Sequence, residues 1–90
     1  MQSMTYHVYI LRCADGTLYT GYTTDLARRL AEHNGERAAA RSAAARYTRS
    51  RRPVELAYSE THSSRSDALT REAAIKKLRR SKKLNLIANS

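Results

Sequence analysis

The stretch Thr5-Tyr6-His7-Val8-Tyr9-Ile10-Leu11-Arg12-Cys13-Ala14-Asp15-Gly16-Thr17-Leu18-Tyr19-Thr20-Gly21-Tyr22-Thr23 decides the fold. Its first half is largely β-branched, aromatic or apolar and predicts a strand over residues 5–13. Asp15-Gly16 is a turn signal, and Leu18 to Thr23, with Tyr19 and Tyr22, reads as a second strand. Together they predict a hairpin, and the loop length sets which side chains share a face. A two-residue loop, Asp15-Gly16, pairs Tyr9 with Tyr22 and turns Tyr19 the other way. A three-residue loop, Ala14-Asp15-Gly16, with Gly16 left-handed in a bulge, pairs Tyr9 with Gly21 and Leu11 with Tyr19. Both tyrosines then lie on one face. Local turn chemistry suits either loop; the functional reading below needs the second.

Downstream, Thr24 is a candidate N-cap, with Asp25 in the first turn of a helix that runs to about His33 and stops at Asn34-Gly35. At 100° per residue, Leu26, Leu30 and His33 fall within about 60° of one another. Arg29 sits at the edge of that stripe, while Arg28 and Glu32 are expected to face away. Residues 36–52 are rich in Ala and Arg and weakly patterned, readable as a loop or a helical extension. Pro53 opens a third strand, Val54 to Glu60, with Val54, Leu56 and Tyr58 expected on one face. Ser64 and Asp67 resemble a capping box for a helix reaching about Arg80, with Ala68, Leu69, Ala73 and Ile75 as its apolar side. Ser81 is the expected cap of a last short helix carrying Leu84, Leu86 and Ile87.

At 90 residues there is length for one domain, with a core expected over about residues 5–88. Such a chain buries only roughly 60–65% of its extended surface. Leu, Ile and Val total 14 and Phe and Trp are absent, so the periodic segments must carry the folding. A single cysteine, Cys13, excludes an internal disulfide framework and a Cys-rich zinc site. No run approaches the length of a membrane span, and no secretory leader is recognisable. A reducing cytoplasm is the expected location. The net charge is +9, with thirteen arginines among seventeen cations. Arg37, Arg41, Arg46, Arg49, Arg51 and Arg52 form one cluster; Arg71, Lys76, Lys77, Arg79, Arg80, Lys82 and Lys83 form another. A pI near 10.3 favours a polyanionic partner, nucleic acid first. An anionic membrane surface fits less well, because no segment pairs a basic face with large apolar residues.

Glu72 lies within the apolar arc of its helix, where an unpaired carboxylate costs several kcal/mol. It needs a cation: Lys76, Arg65 or Arg79 in an ion pair, or a hard divalent ion. Arg29 and His33 either flank the core edge or act chemically, the guanidinium clamping a phosphate and the imidazole carrying a proton or a second phosphate contact. Tyr6, Tyr22 and Tyr58 read as amphipathic packing.

Val8-Tyr9-Ile10, Tyr19-Thr20-Gly21 after a hairpin, Arg29 eight residues beyond the glycine, His33 four later, and Glu72 in a distal helix together resemble the GIY-YIG nuclease family. The likeness is to its small stand-alone bacterial YhbQ-like (UPF0213) group. Leu11-Arg12-Cys13-Ala14-Asp15-Gly16, Tyr47-Thr48-Arg49, Arg52-Pro53-Val54-Glu55-Leu56 and Arg71-Glu72-Ala73-Ala74-Ile75-Lys76-Lys77-Leu78 are similar to that group as well. The resemblance spans about Tyr6 to Ile87, and its specificity lies in the order and spacing of the pieces. It implies an α+β fold, a small three-stranded antiparallel sheet flanked by helices. It also implies Mg2+- or Mn2+-dependent hydrolysis of DNA phosphodiesters, in repair or processing. By position it implies catalytic roles for Tyr9, Tyr19, Arg29, His33 and Glu72, with Glu72 on the metal. Gly21, Tyr47, Arg49, Arg52 and Lys76 are the candidate substrate contacts. The first motif reads His7-Val8-Tyr9, without its usual glycine, and a late asparagine could be Asn85 or Asn89. With no appended reading module, low sequence specificity and a monomer are expected. The alternative is a non-catalytic accessory module binding DNA or RNA.

Overall fold

The computed structural model describes residues 4–35 and 48–89. Tyr47 and the Ala- and Arg-rich stretch 36–47, including Arg37, Arg41 and Arg46, lie outside them. Three strands, β1 (Tyr6–Cys13), β2 (Leu18–Thr23) and β3 (Val54–His62), form one antiparallel sheet in the order β2-β1-β3. Helix α1 (Leu26–His33) follows the hairpin; α2 (Arg65–Lys76) and α3 (Arg80–Ala88) follow β3. The α+β architecture expected from the sequence is the one observed.

Central β1 is covered on both faces, which is why it reads as a nearly continuous apolar run. Val8 and Ile10 pack with Ala68 and Ile75 of α2, joined by Leu86 and Ile87 of α3. On the other face Tyr9, Leu11, Cys13 and Val54 pack against Leu26 and Leu30 of α1. The three-residue hairpin loop is realised. Tyr9 lies opposite Gly21 and Leu11 opposite Tyr19, and Gly16 takes φ 85°. Thr17 closes the turn by donating twice to Asp15 Oδ1.

Several boundaries differ from the sequence expectations. Asp25, not Thr24, caps α1: its backbone is extended and its carboxylate accepts from Arg28 N at 3.1 Å. Strand β3 runs two residues further, to His62, because Tyr6 and His7 continue the ladder opposite His62 and Thr61. Ala57 is an extra residue in β3, since Ile10 pairs with Tyr58 while Leu11 pairs with Leu56. That bulge sends Val54 and Leu56 to the α1 face and Tyr58 to the α2 face, so the three do not share a side. Leu56 is left exposed.

Helix α2 stops at Lys76 rather than Arg80, and α3 begins at Arg80 behind an N-cap at Arg79, not Ser81. Ser64 does cap α2, accepting from Asp67 N at 3.1 Å. The buried line of α2 is Ala68 and Ile75; Leu69 and Ala73 face solvent. Glu72 falls between the two buried residues, within about 60° of arc. Glu60 of β3 accepts from Arg71 of α2 through both carboxylate oxygens, at 3.1 and 3.0 Å, and also from Tyr58. This clamp fixes α2 on the sheet one residue before Glu72.

Candidate active site

A pocket of about 400 Å³ opens over edge strand β2. Tyr6 and Tyr9 of β1, Tyr19, Gly21, Tyr22 and Thr23 of β2, Arg29 of α1, and Arg65 and Glu72 of α2 line it, with Thr24. Residues from both faces of the sheet thus meet at one edge. The meeting point is Gly21, opposite Tyr9. A Cβ there would sit 2.6 Å from Tyr9 Oη and 3.1 Å from Tyr19 Cε1. Only a residue without a side chain leaves room there for both tyrosine rings and for close approach to the strand backbone.

Tyr9, Tyr19 and His33 form a tight aromatic trio. Ring centroids lie 6.4 Å apart for Tyr9 and Tyr19, 6.1 Å for Tyr9 and His33, and 5.2 Å for Tyr19 and His33. Tyr9 is 2% exposed and its Oη is 3.2 Å from His33 Nε2. Burial pushes both phenols above the ordinary tyrosine range. Tyr19 adds to the rise at Tyr9, the Glu72 carboxylate adds to it at Tyr19, and Arg29 offsets part of both. His33 is fully buried in the last turn of α1. Burial, helped by the Arg29 guanidinium, lowers it to about 4, so it is neutral at pH 7.

The segment after residue 47 wraps the C-terminal end of α1 and holds this histidine. Thr48 Oγ1 lies 2.8 Å from His33 Nδ1, and Arg52 Nε donates to the His33 carbonyl at 2.7 Å. Asn34 pairs with the Val54 backbone in both directions, donating to its carbonyl and accepting from its N–H. Gly35, at φ 76°, ends the helix under the Arg52 guanidinium.

Arg29 reaches the pocket with Glu32 Oε1 3.7 Å from its Nε, and that buried Nε has no hydrogen-bond partner among the described residues. Glu32 therefore does not face away as expected; it folds back along the helix to Arg29. The Glu72 side chain is 16% exposed, with Lys76 Nζ at 3.8 Å. The ion pair considered from the sequence is present, and the same carboxylate lines the pocket.

The structure therefore gathers Tyr9, Tyr19, Gly21, Arg29 and Glu72 around one opening, with His33 directly behind Tyr9. Lys76 stands at its rim through Glu72. Arg49 is exposed and does not line the pocket, and Arg52 is committed to the His33 carbonyl. Tyr6 and Tyr22, expected from the sequence to serve packing alone, belong to the lining together with Arg65, whose Nε donates to Tyr22 Oη at 3.4 Å. Their signal was alternation: Tyr6 and Tyr22 flank the motif strands on the side facing α2. In the sequence, Thr48 stands out only as part of a motif, between Tyr47 and Arg49.

Residues 5–85 match the GIY-YIG catalytic domain. The chain is 55% identical over 83 residues to a UPF0213 protein of Desulfotalea psychrophila, covering 92% of this chain and 71% of that protein. It is 50% identical over 78 residues to a UPF0213 protein of Halobacterium salinarum, covering 87% of this chain and 94% of the relative. The solution NMR structure of the UPF0213 protein BH0048 from Bacillus halodurans superposes with a TM-score of 0.60 at 37% identity, over 97% of this chain and 86% of that one.

Proposed function

Because this chain belongs to the GIY-YIG family, we propose that it is a divalent-metal-dependent endonuclease hydrolysing DNA phosphodiester bonds. We further propose low sequence specificity and a role in DNA repair or processing. One observation carries the reading: Glu72, Arg29, Tyr9, Tyr19 and the side-chain-free Gly21 converge on one open pocket from four different elements.

The residues fit Mg2+ or Mn2+. Such hard ions accept one carboxylate and complete their shell with water and phosphate oxygens. Glu72 supplies that carboxylate, and among the described residues no group of three or more His, Cys, Asp or Glu offers an all-protein cage. When bound, the ion contributes positive charge at the scissile phosphate and at the leaving oxygen.

The protein's own groups do the rest. Arg29 lines the pocket and presents a guanidinium fork matched to phosphate oxygens that gain charge in a pentacovalent transition state. Tyr9 is the base. As the attacking water loses its proton to the Tyr9 oxygen, the phenolic proton passes to His33 Nε2, 3.2 Å away. Burial keeps that proton on Tyr9 at rest, and His33, lowered to about 4, does not take it. The transfer therefore waits for substrate, whose phosphate charge favours the imidazolium that burial and Arg29 disfavour. Tyr19, on the same face, positions the phosphate, and Gly21 lets it approach the backbone. Exposed Arg49 and Lys76 add phosphate contacts, with Tyr47 two residues before Arg49 in sequence. Arg52 acts indirectly, through the His33 carbonyl.

Supercoiled plasmid incubated with Mg2+, Mn2+ or chelator tests the proposal. Wild type nicks in metal only, while Glu72→Ala binds DNA and does not nick. Equal nicking by both proteins overturns it; binding without nicking in either metal favours an accessory module instead.

A further inference from the structure

We propose that Thr48 is a positioning residue that fixes His33 as the Nδ1–H tautomer and so aims the lone pair of Nε2 at the Tyr9 hydroxyl. The inference rests on the proposed hydrolytic role of the pocket for its consequence, not for its structural content.

Thr48 Oγ1 meets two groups of His33, the ring Nδ1 at 2.8 Å and the backbone carbonyl at 3.3 Å. The carbonyl accepts only; it takes Arg52 Nε–H at 2.7 Å on one lone pair and the single hydroxyl proton of Thr48 on the other. Toward Nδ1 the oxygen then has only lone pairs to offer, and Nδ1 must carry the hydrogen. A neutral imidazole with Nδ1–H has a bare Nε2, which accepts from Tyr9 Oη. The result is an unbroken relay in which each proton has an acceptor: Tyr9 O–H to Nε2, Nδ1–H to Oγ1, and Oγ1–H to the carbonyl. Thr48, His33 and Tyr9 are all buried, where an unpaired polar group is expensive. The opposite tautomer would point Nε2–H at the Tyr9 oxygen and remove the only acceptor that His33 provides for the phenolic proton.

The mechanistic consequence is directional. In the assigned tautomer the proton leaves Tyr9 Oη and lands on Nε2, giving an imidazolium whose Nδ1–H still donates to Thr48. In the other tautomer Nε2 is already occupied and no such transfer is available. The base function of Tyr9 thus depends on a threonine that faces away from the pocket.

The test is the ring-nitrogen spectrum of 15N-histidine-labelled protein at neutral pH, with His33 assigned by its loss in His33→Gln. Wild type is expected to show protonated Nδ1 and unprotonated Nε2. Thr48→Ser keeps that pattern, and Thr48→Val loses it. Nε2–H in wild type overturns the assignment outright, whether or not the valine variant folds. In single-turnover cleavage, Thr48→Val is expected to be slowed by about 100-fold with unchanged DNA affinity, and Thr48→Ser to recover most of the rate. A valine variant that has lost the tautomer yet cleaves at the wild-type rate overturns the positioning role. A wild-type protein that cleaves nothing would instead count against the nuclease reading, while the spectrum still judges the tautomer.

Discussion

Lowering the pH from 7 should destabilise this protein through one buried residue, His33. His33 is fully buried and neutral, lowered to about 4 by burial and by Arg29. In the unfolded chain it titrates near its ordinary 6.5. The folded state therefore binds fewer protons than the unfolded one between those values, and stability falls as pH falls through that window. For this pair of values the linkage relation gives a loss of about 2 kcal/mol between pH 7 and 5, and about 3 kcal/mol by pH 4. That is a large share of the stability of a small domain, about 5–10 kcal/mol. Bonds from Tyr58, His62 and Arg71 outweigh burial at Glu60 and hold its carboxyl below the usual range, as Thr17 does for Asp15. Both therefore titrate below the upper part of that window. Urea denaturation at pH 7 and 5 reads the difference as a midpoint shift of about 1–2 M. The same pair of measurements on His33→Gln isolates the histidine, because the comparison is of slopes and not of absolute stabilities. Wild type should lose about 2 kcal/mol more than the variant over this interval. Equal losses in the two proteins would refute the reasoning.

Gly21→Ala places a methyl 2.6 Å from Tyr9 Oη and 2.8 Å from its Cζ. The buried ring must move, which is expected to cost about 1–3 kcal/mol in denaturant unfolding and about 100-fold in cleavage rate. Ile75→Ala empties a fully buried site between α2 and the sheet, and thermal unfolding should register a loss of about 2–5 kcal/mol. Asn34→Ala strips both partners from the Val54 backbone, and urea unfolding should show a loss of about 1–3 kcal/mol. Amide exchange at Val54 should rise with it.

The hairpin register was legible because its two possible loops differ in a functional consequence, the face shared by Tyr9 and Tyr19. The position of Glu72 on the buried side of its helix was legible from 3.6-residue periodicity. Its neighbours were not. Leu69 and Ala73 were grouped with it on hydrophobicity, but α2 is rotated by the Glu60–Arg71 clamp so that Ala68, Glu72 and Ile75 face the sheet. That clamp is a long-range ion pair with no local signature. The bulge at Ala57 is similarly silent, since nothing in Glu55-Leu56-Ala57-Tyr58 marks an extra residue, and an alternation rule then puts Tyr58 on the wrong face. The break after Lys76 has no Gly or Pro to mark it in the sequence. Thr48 escaped notice because its role exists only once the segment near residue 48 folds back on the end of α1.

The central claim is that one pocket, built by Tyr9, Arg29 and Glu72, cleaves a phosphodiester bond. Single-turnover cleavage of a labelled oligonucleotide tests it most directly, with Mn2+ or Mg2+ supplied and DNA affinity measured in parallel. Tyr9→Phe, Arg29→Ala and Glu72→Gln should each slow cleavage by about 100- to 10,000-fold while binding changes little. Thr70→Ala, an exposed position on the same helix as Glu72, serves as the control and should match wild type. Cleavage at the wild-type rate in all three pocket variants would contradict the account.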